Sequence, residues 1–208
     1  TRLDMLKVDP ATGASEVWFT EEAAADDYWI NLSDNYRFLK DGRLLWWSER
    51  DGTGNFYLVD GSEWSKVTDR AEPVTQLVGV DQDAGRVYYQ AVDDVLERHI
   101  YAAPLAGGAE MRLTEAGYVN GAVMDKDAQT LLVSRSSPSQ PPQSYLADTD
   151  GKRLAWVEEN ALDAGHPYAP YLASHMMPEF GTIPAEDGTP LHYMMLKPEM
   201  EPGKQYPV

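Results

Sequence analysis

The sequence predicts an all-β fold in which four-stranded antiparallel units recur about three and a half times, the organisation of a partial β-propeller. Three observations carry that prediction. Short runs rich in aromatic and branched residues alternate with Gly, Asp and Asn turns, as in 43–48 and 55–60 across Asp51-Gly52-Thr53-Gly54. The turn opening each unit recurs, with Asp41, Asp83 and Asp127 spaced 42 and 44 residues apart. A later turn recurs as well, at Asp60-Gly61, at Ala106-Gly107-Gly108 and across 148–151. A β-sandwich would also give closely spaced turns, but it has no reason to repeat in groups of four.

Taken in order, 1–8 opens in apolar-polar alternation, turns at Asp9-Pro10 and Gly13, and returns over 15–20, the last two strands of a preceding unit. Glu21-Glu22 and the residues up to Asp27 form an acidic connector, read as a solvated loop. The first full unit has strands at 35–39, 43–48, 55–60 and 63–68. The second runs 76–80, 86–91, 98–103 and 109–114, and the third 120–124, 130–135, 143–147 and 153–157. The polar start, Ala-Leu body and Gly165 stop of 158–165 predict a short helix, and the proline-punctuated 166–171 an extended linker. Two strands then follow at 179–183 and 191–196 across Glu186-Asp187-Gly188; 197–203 reads as a loop and 205–208 as a strand beginning. The chain therefore divides into propeller units over 1–157, a linker over 158–178 and a hairpin of a further domain over 179–208. Both ends read as cuts in a longer polypeptide. An unclosed propeller exposes apolar faces and strand edges, so the isolated fragment is expected to associate, which light scattering would check.

Composition limits the function. A 208-residue chain that is 43% hydrophobic can build a packed core. Against 34 Asp and Glu there are 17 Lys and Arg, and a net charge of -17 disfavours nucleic acid and anionic membranes. No run reaches the roughly 18 apolar residues of a membrane helix, and cysteine is absent, which excludes disulfides and thiolate chemistry. The four histidines, His99, His166, His175 and His192, show no metal-ligand spacing, and neither metal nor cofactor is expected. His99 and His192 lie on strands and are read as packed or half-buried. Trp46 and Trp47 are strand neighbours, so they point to opposite faces and pack between units rather than forming one platform. Met176-Met177 and Met194-Met195 are read as core filler near a domain interface.

Several passages resemble the dipeptidyl peptidase IV branch of the prolyl oligopeptidase clan of serine peptidases. They are Trp29-Ile-Asn-Leu, the Arg37-Phe-Leu-Lys-Asp-Gly-Arg-Leu-Leu-Trp-Trp-Ser-Glu-Arg-Asp-Gly52 run, Leu96-Glu-Arg-His-Ile-Tyr101, and the Arg153-Leu-Ala-Trp-Val start of 153–162, with the Phe180-Gly-Thr to Lys197-Pro passage. The resemblance implies an eight-bladed propeller capping an α/β-hydrolase domain. By it, the chain holds the end of blade five, blades six to eight and the first hairpin of the hydrolase. It further implies a peptide substrate losing N-terminal Xaa-Pro or Xaa-Ala dipeptides, a homodimeric parent, and a bacterial periplasmic or cell-envelope location.

Serine hydrolysis needs a nucleophile elbow, a His base, an orienting carboxylate and oxyanion donors. There is no Gly-x-Ser-x-Gly here, and the family's triad lies beyond the position matching Val208, so no catalytic residue is assigned and the chain alone is expected to be inactive. The family's amino-terminus-binding glutamates belong to an earlier blade, so neither Glu21-Glu22 nor Glu158-Glu159 takes that role. The loop opening blade six faces the substrate in the family; it matches 29–35 and gives Asn31, Ser33 and Asp34 as substrate-pocket candidates. Two other readings stay open: a propeller scaffold without chemistry, and another clan member such as an acylaminoacyl peptidase. A downstream Gly-x-Ser-x-Gly would separate the peptidases from the scaffold.

Overall fold

The computed structural model describes residues 1–23, 29–197 and 202–205. Residues 24–28 of the acidic run, most of the 197–203 loop and residues 206–208 of the strand expected over 205–208 fall outside the described residues.

Strand β1 (Arg2–Val8) pairs antiparallel with β2 (Ser15–Glu22) through a turn capped by the Asp9 carboxylate, which accepts from the Ala11 N–H at 2.8 Å. A four-stranded sheet follows in simple meander order: β3 (Tyr36–Phe38), β4 (Leu44–Ser48), β5 (Asn55–Asp60) and β6 (Glu63–Lys66). Next come β7 (Val74–Asp81), β8 (Arg86–Asp94), β9 (Glu97–Pro104) and the two-residue β10 (Met111–Arg112), again each paired with its predecessor. A third meander holds β11 (Val119–Met124), β12 (Thr130–Ser137), β13 (Gln140–Asp148) and β14 (Arg153–Glu158). The last two meanders touch edge to edge through one parallel pairing, Val119 with Arg98, so they join into one eight-stranded sheet. The fourfold grouping read from the turns is thus present, with an added stitch that the turn spacing does not encode.

Residue alternation decides what packs between the meanders. In β4, Leu44 and Trp46 face β1–β2 and join Phe19, Tyr57 and Val59, while Leu45 and the partly buried Trp47 face β7–β9 with Phe56, Val87, Tyr89 and Ala91. The two tryptophans therefore serve two different cores. A third core, formed by Tyr88, Ile100 and Ala102 with Leu131, Val133 and Tyr145, lies between β7–β9 and β11–β13. Turn glycines close these seams. Gly107 and Gly151 hold left-handed φ values of +80° and +84°, and a Cβ would come within 2.9 Å of the Lys66 carbonyl oxygen at the first and 2.5 Å of the Leu113 carbonyl oxygen at the second. Each turn thus presses on the last strand region of the preceding meander, where only glycine fits.

The seam around Arg70 is polar. Its guanidinium donates to the Asp93 carboxylate at 2.7 Å, pairs with Glu110 and stacks over Tyr101 with Cζ 4.3 Å from the ring centroid. Burial alone would raise the Asp93 carboxyl, but hydrogen bonds from Tyr101 and Arg70 outweigh it and hold the group below the usual carboxylate range. His99 is fully buried beside this cluster, bonded through Nδ1 to the Thr114 hydroxyl at 3.0 Å and through Nε2 to Glu97 at 2.8 Å. Arg135 is clasped the same way in the third meander, between Tyr118, Tyr145 and Trp156, with Gln143 and Glu115 accepting its protons.

Four expectations are corrected beyond the third meander. No helix forms over 158–165, because β14 runs on to Glu158 opposite Ser144 and the chain then turns at Asn160, whose φ is +44°. The helical turn lies later, as a 3-10 helix over Ala169–Ser174, which overlaps the 166–171 stretch read as extended. Met176 and Met177 are about half exposed rather than core. Strands β15 (Glu179–Pro184) and β16 (Pro190–Met195) pair only with each other, and His192, Met194 and Met195 on the second strand are exposed.

Candidate functional site

A cavity of about 430 Å3 opens where the end of β2, the 29–31 loop and the β4–β5 turn meet. Its floor is Glu21. Phe19 and Glu21 share one parity on β2, so the face that buries the Phe19 ring carries the Glu21 carboxylate inward too; Glu21 is 4% exposed. There it accepts the Trp46 indole N–H at 2.7 Å and the Ser48 hydroxyl, whose oxygen in turn accepts the Arg50 N–H at 3.0 Å. The reading of Glu21 as part of a solvated loop is thus corrected: it closes β2 against β4. Its neighbour Glu22 is exposed and also lines the cavity.

One wall is the 29–31 loop. The Trp29 indole N–H donates to the Asn31 side-chain oxygen at 2.9 Å, and the Asn31 amide donates to the Glu49 carboxylate at the mouth of the β4–β5 turn. The opposite wall carries Glu49, Arg50 and Gly52. Arg50 stacks its guanidinium over the Trp64 ring with Cζ 3.9 Å from the centroid, which fixes the side chain by cation–π contact. Behind it, Asp51 accepts from Lys66 at 3.0 Å and from the Tyr57 hydroxyl at 3.0 Å. These bonds, Lys66 first, hold the Asp51 carboxyl below its ordinary value, while burial and then Asp51 push the Tyr57 phenol up to about 12. The β4–β5 turn is therefore braced from outside, leaving the Glu49 and Asn31 polar groups and the Trp29 ring, 72% exposed, along the rim.

Of the three candidates read from the sequence, Asn31 lines this cavity and the other two do not. The Ser33 hydroxyl accepts the Asn35 N–H at 3.1 Å in a local turn, and Asp34 is exposed with its carbonyl accepting the Tyr36 N–H. Asn35 stitches the loop to β7, accepting from Leu77 and donating to the Thr75 carbonyl. Sequence reasoning missed Glu21, Ser48 and Glu49 as cavity residues. For Glu21 a signal existed in its parity with Phe19; for Glu49 none did, since its role depends on how the 29–31 loop folds across the turn. No group of three or more His, Asp or Glu among the described residues could hold a metal ion, and no described helix is long and apolar enough to cross a membrane.

The family model for the dipeptidyl peptidase IV (DPP IV) N-terminal region matches residues 1–142. The chain belongs to that family. Among solved structures, the dipeptidyl peptidase 4 of Porphyromonas gingivalis superposes with a TM-score of 0.82 at 24% identity, over 98% of this chain and 29% of that one. A putative dipeptidyl aminopeptidase IV from Bacteroides ovatus gives a TM-score of 0.81 at 21% identity, over 99% of this chain and 32% of its own. The nearly all-β chain therefore has the fold of the propeller region of these bacterial structures and spans about a third of their length.

Proposed function

We propose that the chain is the closing part of the propeller of a serine dipeptidyl peptidase that removes N-terminal Xaa-Pro or Xaa-Ala dipeptides. The observation that carries this reading is the family match across residues 1–142. In this account β1–β2 end blade five, the three meanders are blades six to eight, residues 158–178 are the linker, and β15–β16 form the first hairpin of the α/β-hydrolase domain.

The outer face of the third meander supports further blades. Val123, Leu132 and Leu146 stand in one cross-strand row, each opposite the next in register, and are 66%, 43% and 36% exposed. An apolar row of that kind is what a neighbouring blade covers when a propeller closes. The triad residues belong to the hydrolase domain downstream, so the 208 residues bind and gate without performing the chemistry. A propeller over the active site admits only peptides that can enter its cavity, and the Asn31 rim helps to position them for attack. Ser33 and Asp34 continue the same loop outside the cavity. The parent is read as a homodimer of the bacterial periplasm or cell envelope.

The test is product identification by mass spectrometry after the parent protein is incubated with a peptide carrying proline second. Release of the intact N-terminal dipeptide supports the proposal, whereas single residues or internal cleavage products would overturn it.

A further inference from the structure

We infer that His166 is the proton-sensitive pin of a latch holding residues 159–178 against the turn between β12 and β13. The segment folds back over that turn around a second cavity of about 350 Å3, lined by Pro138, Pro141, Leu162, Tyr168 and Leu172 with His166 and His175 at its polar edge. A continuous line of hydrogen bonds crosses it. Asn160 donates its side-chain amide to the Pro142 carbonyl at 2.8 Å, and its side-chain oxygen faces His166 Nε2 at 2.9 Å. The Tyr168 backbone N–H donates to His166 Nδ1 at 3.0 Å, the Tyr168 hydroxyl meets His175 Nδ1 at 2.7 Å, and His175 Nε2 faces the Pro138 carbonyl at 3.2 Å.

The partners fix the tautomers. A carbonyl oxygen can only accept, so Nε2 of each ring carries the proton and Nδ1 is left as a lone pair. At His175 that arrangement is reversible, because the Tyr168 hydroxyl can rotate and accept from a protonated ring. At His166 it is not. A backbone N–H has no acceptor to offer, so a proton on His166 Nδ1 sets two donors against each other and removes the bond that seats Tyr168.

No competing charge from the facing turn offsets this, since Ser137, Pro138, Ser139, Gln140 and Pro141 are all uncharged. Tyr168 and His175 are the other titratable groups at the cavity, and Tyr171 packs against the Tyr168 ring with centroids 6.0 Å apart. Among the carboxylates of this segment, Glu158 accepts from the Asn160 N–H at 3.1 Å and Asp163 from the Gly165 N–H at 2.8 Å, while Glu159 is exposed. The latch is therefore closed when His166 is neutral and opens as it takes up a proton. Residues 159–178 are the covalent link between β14 and the β15–β16 hairpin, so opening frees that link from the third meander.

Hydrogen exchange of the parent protein read by mass spectrometry at pH 8 and pH 5, corrected for the intrinsic pH dependence of exchange, tests this. Peptides covering 159–178 are expected to lose protection by about tenfold at the lower pH, the scale of one hydrogen bond. His166→Asn keeps an acceptor at the Nδ1 position without titrating and abolishes that step, while His175→Gln retains it. A wild-type profile flat across this range, a step that survives in His166→Asn, or a step lost in His175→Gln would each overturn the inference.

Discussion

Replacing Gly151 with alanine tests the way one meander is seated on the next. At φ +84°, a left-handed alanine costs about 1–2 kcal/mol. The added methyl would lie 2.5 Å from the Leu113 carbonyl oxygen and 2.9 Å from its Cα and Cβ, mostly backbone that cannot swing aside. Relieving it forces the turn away from the seam, for about a further 1–3 kcal/mol. Restricting the unfolded chain returns only about 0.4–1 kcal/mol, so a net loss of about 2–4 kcal/mol is expected, a large part of the 5–15 kcal/mol by which domains are typically stable. Gly85→Ala is the control: its φ of +66° carries the same conformational strain, but no heavy atom lies within 4 Å of the new methyl. Urea unfolding followed by tryptophan fluorescence gives both shifts in midpoint, and an unchanged slope assigns them to stability. Equal shifts in the two variants would refute the claim that the glycine turn is fixed by contact with the preceding meander.

Two further outcomes follow from the geometry. The Asp93 carboxyl is held below its ordinary value, so its contribution is complete above the unfolded carboxylate range near pH 4 and is lost as pH falls through the folded value. Asp93→Asn should therefore lose about 1–3 kcal/mol at pH 7 and converge on wild type at lower pH; parallel unfolding profiles from pH 7 to pH 3 would contradict that. In the parent protein, Asn31→Ala should lower kcat/KM for a dipeptide-chromophore substrate by about threefold to tenfold, the loss of one positioning hydrogen bond, and an unchanged kcat/KM would remove Asn31 from the proposed substrate-facing rim.

The strands were legible because each carries its own signal: alternation fixes both the element and the two faces, which is why the adjacency of Trp46 and Trp47 already implies the opposite faces that the two cores bury. The turn glycines were legible for the same local reason. What the sequence hid depends on pairing partners. The residues after Val157 read as a helix because Ala161, Leu162 and Gly165 suit one, yet β13 extends the neighbouring strand to Glu158 and Asn160 then turns the chain. Pro167 and Pro170 suggested extension, but Pro170 sits in the first turn of the 3-10 helix, where a missing N–H costs nothing. Asn31 was reachable from its loop, whereas Glu49 entered the site only through the fold of that loop across the β4–β5 turn.

The most direct measurement compares two proteins on a Gly-Pro chromogenic substrate: the 208-residue chain, and the same chain extended through the hydrolase domain proposed to follow it. Turnover by the extended protein and none by the shorter one is the expected result. Hydrolysis by the 208 residues alone would contradict the assignment of this chain to binding and gating.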